Sequence, residues 1–101
     1  MKIYISGKIT GYTVEQAKAL FKQSEVLIAE KGHEPVNPFD LSETHPDKTW
    51  KDYMLDDIKG LFDCEAIYMH KDWQDSKGAR IEHGIAVEMG ILRIYDGKLP
   101  K

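Results

Sequence analysis

The hydrophobic period of this chain switches repeatedly between two residues and about 3.6, the periods of strand and helix. Residues 2–6, KIYIS, form a β-branched and aromatic run that stops at Gly7 and predicts a first strand. Thr13 and Gln16 have capping-box spacing. Val14, Ala17, Leu20, Phe21, Ser24, Leu27 and Ile28 then recur on one helical face, with Gly32 as an αL cap. Residues 33–36 predict a weak second strand, stopped by NPFD at 37–40, and a polar loop follows over 41–48. A second helix is expected over 49–62, a third strand over 65–70, a third helix over 78–90 and a fourth strand over 91–95. Such alternation demands parallel strands joined by right-handed crossovers. The expected class is α/β, a small doubly wound sheet. In such sheets ligands bind outside the carboxyl ends of the strands. The loops at that edge are 7–12, 37–47 and 71–78, all rich in polar and turn-forming residues.

Bulk properties narrow the classes. A chain of 101 residues, 42% hydrophobic and 31% charged, is expected to form one soluble domain over 1–101. Net charge is −3 and no Lys/Arg cluster appears, so duplex nucleic acid is not an expected partner. No apolar run approaches a membrane span, and MKIYISG reads as a strand rather than a signal peptide. The single cysteine, Cys64, excludes an internal disulfide, fits a cytoplasmic location and is expected to pack where strand three begins. His33, His45, His70 and His83 lack metal-ligand spacing, and neither the dinucleotide fingerprint nor the P-loop pattern is present. No metal and no cofactor are expected.

Two carboxylates stand on the wrong faces. A helix advances about 100° per residue. Projected this way, Ala79, Ile81, Ile85, Ala86 and Met89 share one arc of the third helix, and Glu82 falls inside it. Lys77, Arg80 and His83 fall on the other side. In the second helix Trp50, Tyr53, Met54, Ile58, Leu61 and Phe62 form the apolar arc; Asp57 lies within it and Asp56 points to solvent. Burying an ionised carboxylate costs several kcal/mol unless it is paired or hydrogen-bonded. Either each is a structural group with a basic partner, or the two serve chemistry. Two carboxylates in different environments suit glycosidic-bond cleavage, one attacking the anomeric carbon and the other protonating the leaving group.

IYISGKITG at 3–11, DDIKGLFDCEAIYM at 56–69 and DSKGARIEHGIAVEMG at 75–90 together resemble the nucleoside 2-deoxyribosyltransferase superfamily. They are also similar to the related 2'-deoxynucleoside 5'-monophosphate N-glycosidases and to small phage and bacterial relatives. The most specific segment is Glu-x-Gly-x-Ala, here Glu82, Gly84 and Ala86, preceded by Ser76 and Gly78. The resemblance implies a flavodoxin/Rossmann-like three-layer sandwich with a parallel sheet of four to five strands. It also implies a homodimer with the active site near the subunit interface. It makes Glu82 the nucleophile, Asp57 the acid, Tyr4 of strand one a further catalytic residue and Ser76 a substrate contact. It further implies that Glu82 attacks C1' and releases the base, and that water or a second base takes the sugar. The places of the family's phosphate-binding Ser and Arg in the first loop are here Lys8 and Thr10. Lys8 still offers a point charge to a phosphate.

Other substrate contacts remain open between function and structure. Gly7 belongs either to a generic turn or to a phosphate-binding loop. Trp73 is the better candidate for stacking on a nucleobase, because Trp50 fits the core periodicity. Asn37 and Asp40, in the loop NPFDLSETHP, are candidates for base or sugar contact, and that loop either covers the site or merely connects. His83 is expected at the surface or an interface. The alternative to an enzyme is a catalytically inactive nucleotide-binding module of the same fold; an interaction protein with an incidental cleft ranks last.

Overall fold

The structure, a computed structural model, describes residues 1–41 and 46–99. The part of the proposed covering loop at 42–45, with His45, lies outside the described residues. Four strands, β1 (Lys2–Ser6), β2 (Glu34–Val36), β3 (Ala66–Met69) and β4 (Leu92–Tyr95), alternate with three helices, α1 (Val14–Glu30), α2 (Trp50–Phe62) and α3 (Lys77–Met89). All strand pairs are parallel and the order is β2-β1-β3-β4. The chain runs outward from β1 to β2, then crosses back to place β3 on the other side of β1. The strand order therefore reverses between β1 and β3, the place outside whose carboxyl ends sheets of this kind bind ligands. This is the expected three-layer α/β sandwich, with four strands.

The pleat of β1 assigns its side chains to two cores. Ile3 and Ile5 pack with Phe21 and Ile28 of α1, and with Ala66, Tyr68 and Ile94. Tyr4 points the other way, into a core with Leu61 of α2, Ala79 and Ala86 of α3, and Ile67, Met69 and Ile91. Cys64 is buried in that second core, as expected. Helix starts are satisfied by their own side chains. Thr13 and Gln16 form the capping box of α1, Thr49 and Asp52 form that of α2, and the Ser76 hydroxyl accepts from the Ala79 amide to begin α3.

The outer helices bury less than projection suggests. Only Met54 and Leu61 of α2 are buried, and in α3 only Ala79, Glu82 and Ala86. Trp50, expected in the core, is 47% exposed, and Lys77 lies over its ring. Phe62, Ile81 and Met89 are exposed as well. A helical wheel shows which residues share a face, not how far the neighbouring sheet extends beneath them. Asp56, expected in solvent, is half-buried and pairs with Lys48 at 2.6 Å.

One close approach fixes the end of β1. A Cβ at Gly7 would stand 2.4 Å from His70 Nδ1 and 2.7 Å from its Cγ. His70 cannot easily yield: its Nε2 is 2.7 Å from Ser24 Oγ and its ring meets Phe21 edge-on. Gly7→Ala is expected to destabilise by about 1–3 kcal/mol, the range for overpacking. Gly60→Ala is the internal comparison, since its Cβ would meet only the flexible end of Leu41. There the helix propensity of Ala, worth about 1 kcal/mol over Gly, offsets the displacement. Urea denaturation of the two variants checks the contrast; equal midpoints would show that His70 does not wedge the turn.

Candidate active site

The centre of the site is Glu82, one turn into α3 and only 5% exposed. Tyr4 donates its hydroxyl to Glu82 Oε2 at 2.7 Å, and Ser6 donates to Oε1 at 2.7 Å. Both donors come from β1, two residues apart, so the pleat presents them on one face. Among the described residues no lysine, arginine or histidine forms an ion pair with Glu82. The buried carboxylate is stabilised by two neutral hydroxyls instead of a cation. Burial pushes its pKa up, and the hydrogen bonds from Tyr4 and Ser6 oppose that shift. Burial, reinforced by the charges of Glu82 and Asp57, holds the Tyr4 hydroxyl well above its usual range, so it stays protonated and remains a donor.

Asp57, midway along α2, faces the same core. Its pKa is pushed up to about 7, first by burial, then by the negative charges of Glu82 and Asp56. Lys48 opposes the shift, but its ammonium is already engaged by Asp56. Near neutrality, then, Asp57 is an acid on the point of releasing its proton, and the Glu82 carboxyl, itself raised by burial, has two hydrogen bonds that favour its charged form. One group can accept an electrophile while the other donates a proton.

The remaining sequence candidates divide by place. Gly7, Lys8 and Thr10 lie in the loop after β1, where Lys8 sits over the Tyr12 ring. The Tyr12 hydroxyl donates to Asp72 at 2.6 Å and ties this loop to the one after β3. Ser76 is occupied as the cap of α3. Gly78 lets α2 approach α3, because a Cβ there would meet Met54 Sδ at 3.2 Å. Trp73 stacks on His83 with centroids 4.1 Å apart, and His83 Nε2 lies 2.9 Å from the Tyr95 hydroxyl. One face of that indole is therefore covered. Asn37 is buried and accepts from the Phe39 amide, and with Asp40 it lines a groove against Glu15, Lys18, Lys22 and Glu25 of α1. These two side chains are engaged on the α1 side of the sheet, whereas Glu82 lies on the α2/α3 side.

Ser6 is the site residue that sequence reasoning passed over. Its signal was present: in a strand, a polar residue two positions after Tyr4 must share the face of Tyr4. Among the described residues no group of three or more His, Cys, Asp or Glu side chains is placed to hold a metal ion. Among them also, no helix is long and apolar enough to cross a membrane.

The parallel four-stranded sandwich has a fold like that of the nucleoside 2-deoxyribosyltransferases. A solved 2-deoxyribosyltransferase from the psychrotolerant bacterium Bacillus psychrosaccharolyticus superposes with a TM-score of 0.71 at 15% identity, over 100% of this chain and 77% of that one. The chain itself belongs to the family described as Domain of unknown function (DUF4406), whose model matches residues 1–95. No curated protein matches the chain significantly.

Proposed function

We propose that the chain cleaves or transfers the N-glycosidic bond of a 2'-deoxynucleoside or its 5'-monophosphate, with Glu82 as nucleophile. The observation that carries this reading is the seat of Glu82: a buried carboxylate held by two hydroxyls and paired with no cation among the described residues. A purely structural glutamate in that position would be better replaced by an apolar or amide side chain. In the proposed reaction one Glu82 oxygen bonds to C1' as the C1'–N bond breaks, and the departing base takes a proton from Asp57. Asp57, now anionic, deprotonates a water that attacks C1' and frees Glu82; a second base attacking instead gives transfer. In this reading Lys8 and Thr10 of the loop after β1 would meet a 5'-phosphate, and Trp73, Ser76 and Gly78 of the segment that opens α3 would contact the base or sugar. The protein fits a single cytoplasmic domain working as a homodimer, because Leu55 (59%), Phe62 (53%) and Met89 (61%) expose apolar surface on α2 and α3.

The second reading, a nucleotide-binding module without chemistry, draws on the same burial, since a nucleophile only 5% exposed is poorly presented. Incubation with deoxynucleosides and their monophosphates, with free base read by chromatography, separates the two. Base release by the parent is the expected result. Saturable binding of one of these compounds with no base release would replace the enzyme by the binding module.

A further inference from the structure

Ser6 terminates β1 and pairs in register with Met69, the last residue of β3. Tyr4 lies deeper, opposite Ile67. Of the two hydroxyls that hold Glu82, that of Ser6 is therefore nearer the edge where ligands enter such a sheet. The oxygen it holds is Oε1, while Oε2 is held by Tyr4, two residues deeper in the strand. Ser6 is itself 1% exposed, so its hydroxyl has no solvent to turn to and stays on the carboxylate. With both oxygens bonded to donors on one rigid strand, the plane of the carboxylate is fixed relative to the sheet.

We propose that Ser6 is the positioning residue of Glu82: its hydroxyl fixes the carboxylate through Oε1 and stabilises its ionised form. This rests on the glycosidic reading for its catalytic meaning, but the seat is a property of the protein alone. The other groups facing Glu82 are few. Tyr4 faces it from β1 and Asp57 from α2, with Asp56 and Lys48 beyond Asp57. The β3 side chains on this face, Ile67 and Met69, are apolar. On α3 itself His83 is directed to Tyr95, and Arg80 donates to the Gln74 carbonyl. Removing the Ser6 hydroxyl thus removes one of two hydrogen bonds to the anion, and among the described residues no cation is paired with Glu82 to replace it. A hydrogen bond to a charged group has a strength that corresponds to about one to two pH units in the titration of the acceptor.

The test is a carbon-13 NMR titration of protein labelled at glutamate side-chain carboxyls, with the Glu82 signal identified by its loss in Glu82→Gln. It is run in the Asp57→Asn background so that a single step is read. Ser6→Ala is expected to raise the Glu82 midpoint by about one to two pH units, while Ser6→Thr, which keeps the hydroxyl, retains the parent midpoint. With Asp57 in place, the acid limb of kcat/KM for base release should move upward by the same amount in Ser6→Ala and return in Ser6→Thr. Should Ser6→Ala fail to fold, Ser6→Cys, a weaker donor, is expected to give a smaller upward shift. An unchanged midpoint in the folded Ala or Cys variant overturns the role of Ser6. A parent that releases no base, with the midpoint shift intact, overturns the glycosidic reading and leaves the seat of Glu82 as described.

Discussion

The Glu82→Gln variant is expected to lose base release by at least about a thousandfold, as removal of a nucleophile does, and to melt at or above the temperature of the parent. Both halves follow from the seat of this side chain. Gln keeps the volume of Glu and can satisfy both hydroxyls, since Tyr4 and Ser6 can each donate or accept. It removes the charge whose burial is unfavourable. The sign with pH follows from the raised Glu82 pKa. The folded carboxyl binds its proton more tightly than the unfolded one. The parent therefore loses stability as pH rises from the ordinary carboxylate range through the folded value, and the variant loses less, keeping only the part that burial of Asp57 contributes. Thermal melts at acidic and neutral pH, run beside the base-release assay, check both claims. A Glu82 paired with a buried cation would behave oppositely, with Gln costing about 3–5 kcal/mol. Marked destabilisation with retained turnover would end the catalytic assignment.

The second large effect belongs to Asp57→Asn. Base release should fall by about 10²–10⁴-fold for bases that leave only when protonated, the usual contribution of a general acid. It should fall much less for bases that leave easily. With the Asp57 carboxyl pushed from its ordinary 3.8 up to about 7, the parent rate should decline as pH rises past about 7, and the variant should lack that limb. Stability carries the same signature. Between 3.8 and about 7 the folded protein holds a proton that the unfolded chain has released, so parent stability falls across that window. Asn holds no such proton. Its advantage should be absent at about pH 4 and reach roughly 1–2 kcal/mol at about pH 8, after discounting for the partial exposure of Asp57. Denaturant melts at the two pH values measure it; equal advantage at both would show that the Asp57 carboxyl is not raised by its burial and its neighbours.

The parallel sandwich was legible because its elements carry strong local signals. KIYIS ends at a glycine, the 17 residues of α1 keep one face, and Thr13 and Thr49 cap with partners three residues on. The inward placement of Glu82 was legible from the same periodicity, since its neighbours Ala79 and Ala86 bracket it on one face. What could not be read was the extent of each contact. Trp50 and Phe62 share the face of Leu61, yet the layer beneath ends short of them. Ser6 was missed because a serine before a glycine reads locally as the start of a turn; its meaning depends on a helix 76 residues further along. Asn37 and Asp40 stand in a loop at the correct edge of the sheet, but a loop residue can turn to either face, and these turn toward α1.

The two hydroxyls that seat Glu82 belong to a single central strand, and among the described residues none of the seat comes from the loops after the strands. Loop sequences tolerate replacement and insertion far better than central strands do. Descent can therefore rewrite the loops at this edge of the sheet without moving the buried carboxylate. Two members of such a lineage can share the buried carboxylate and differ in every loop around it, so kinship in fold alone decides neither reaction nor substrate.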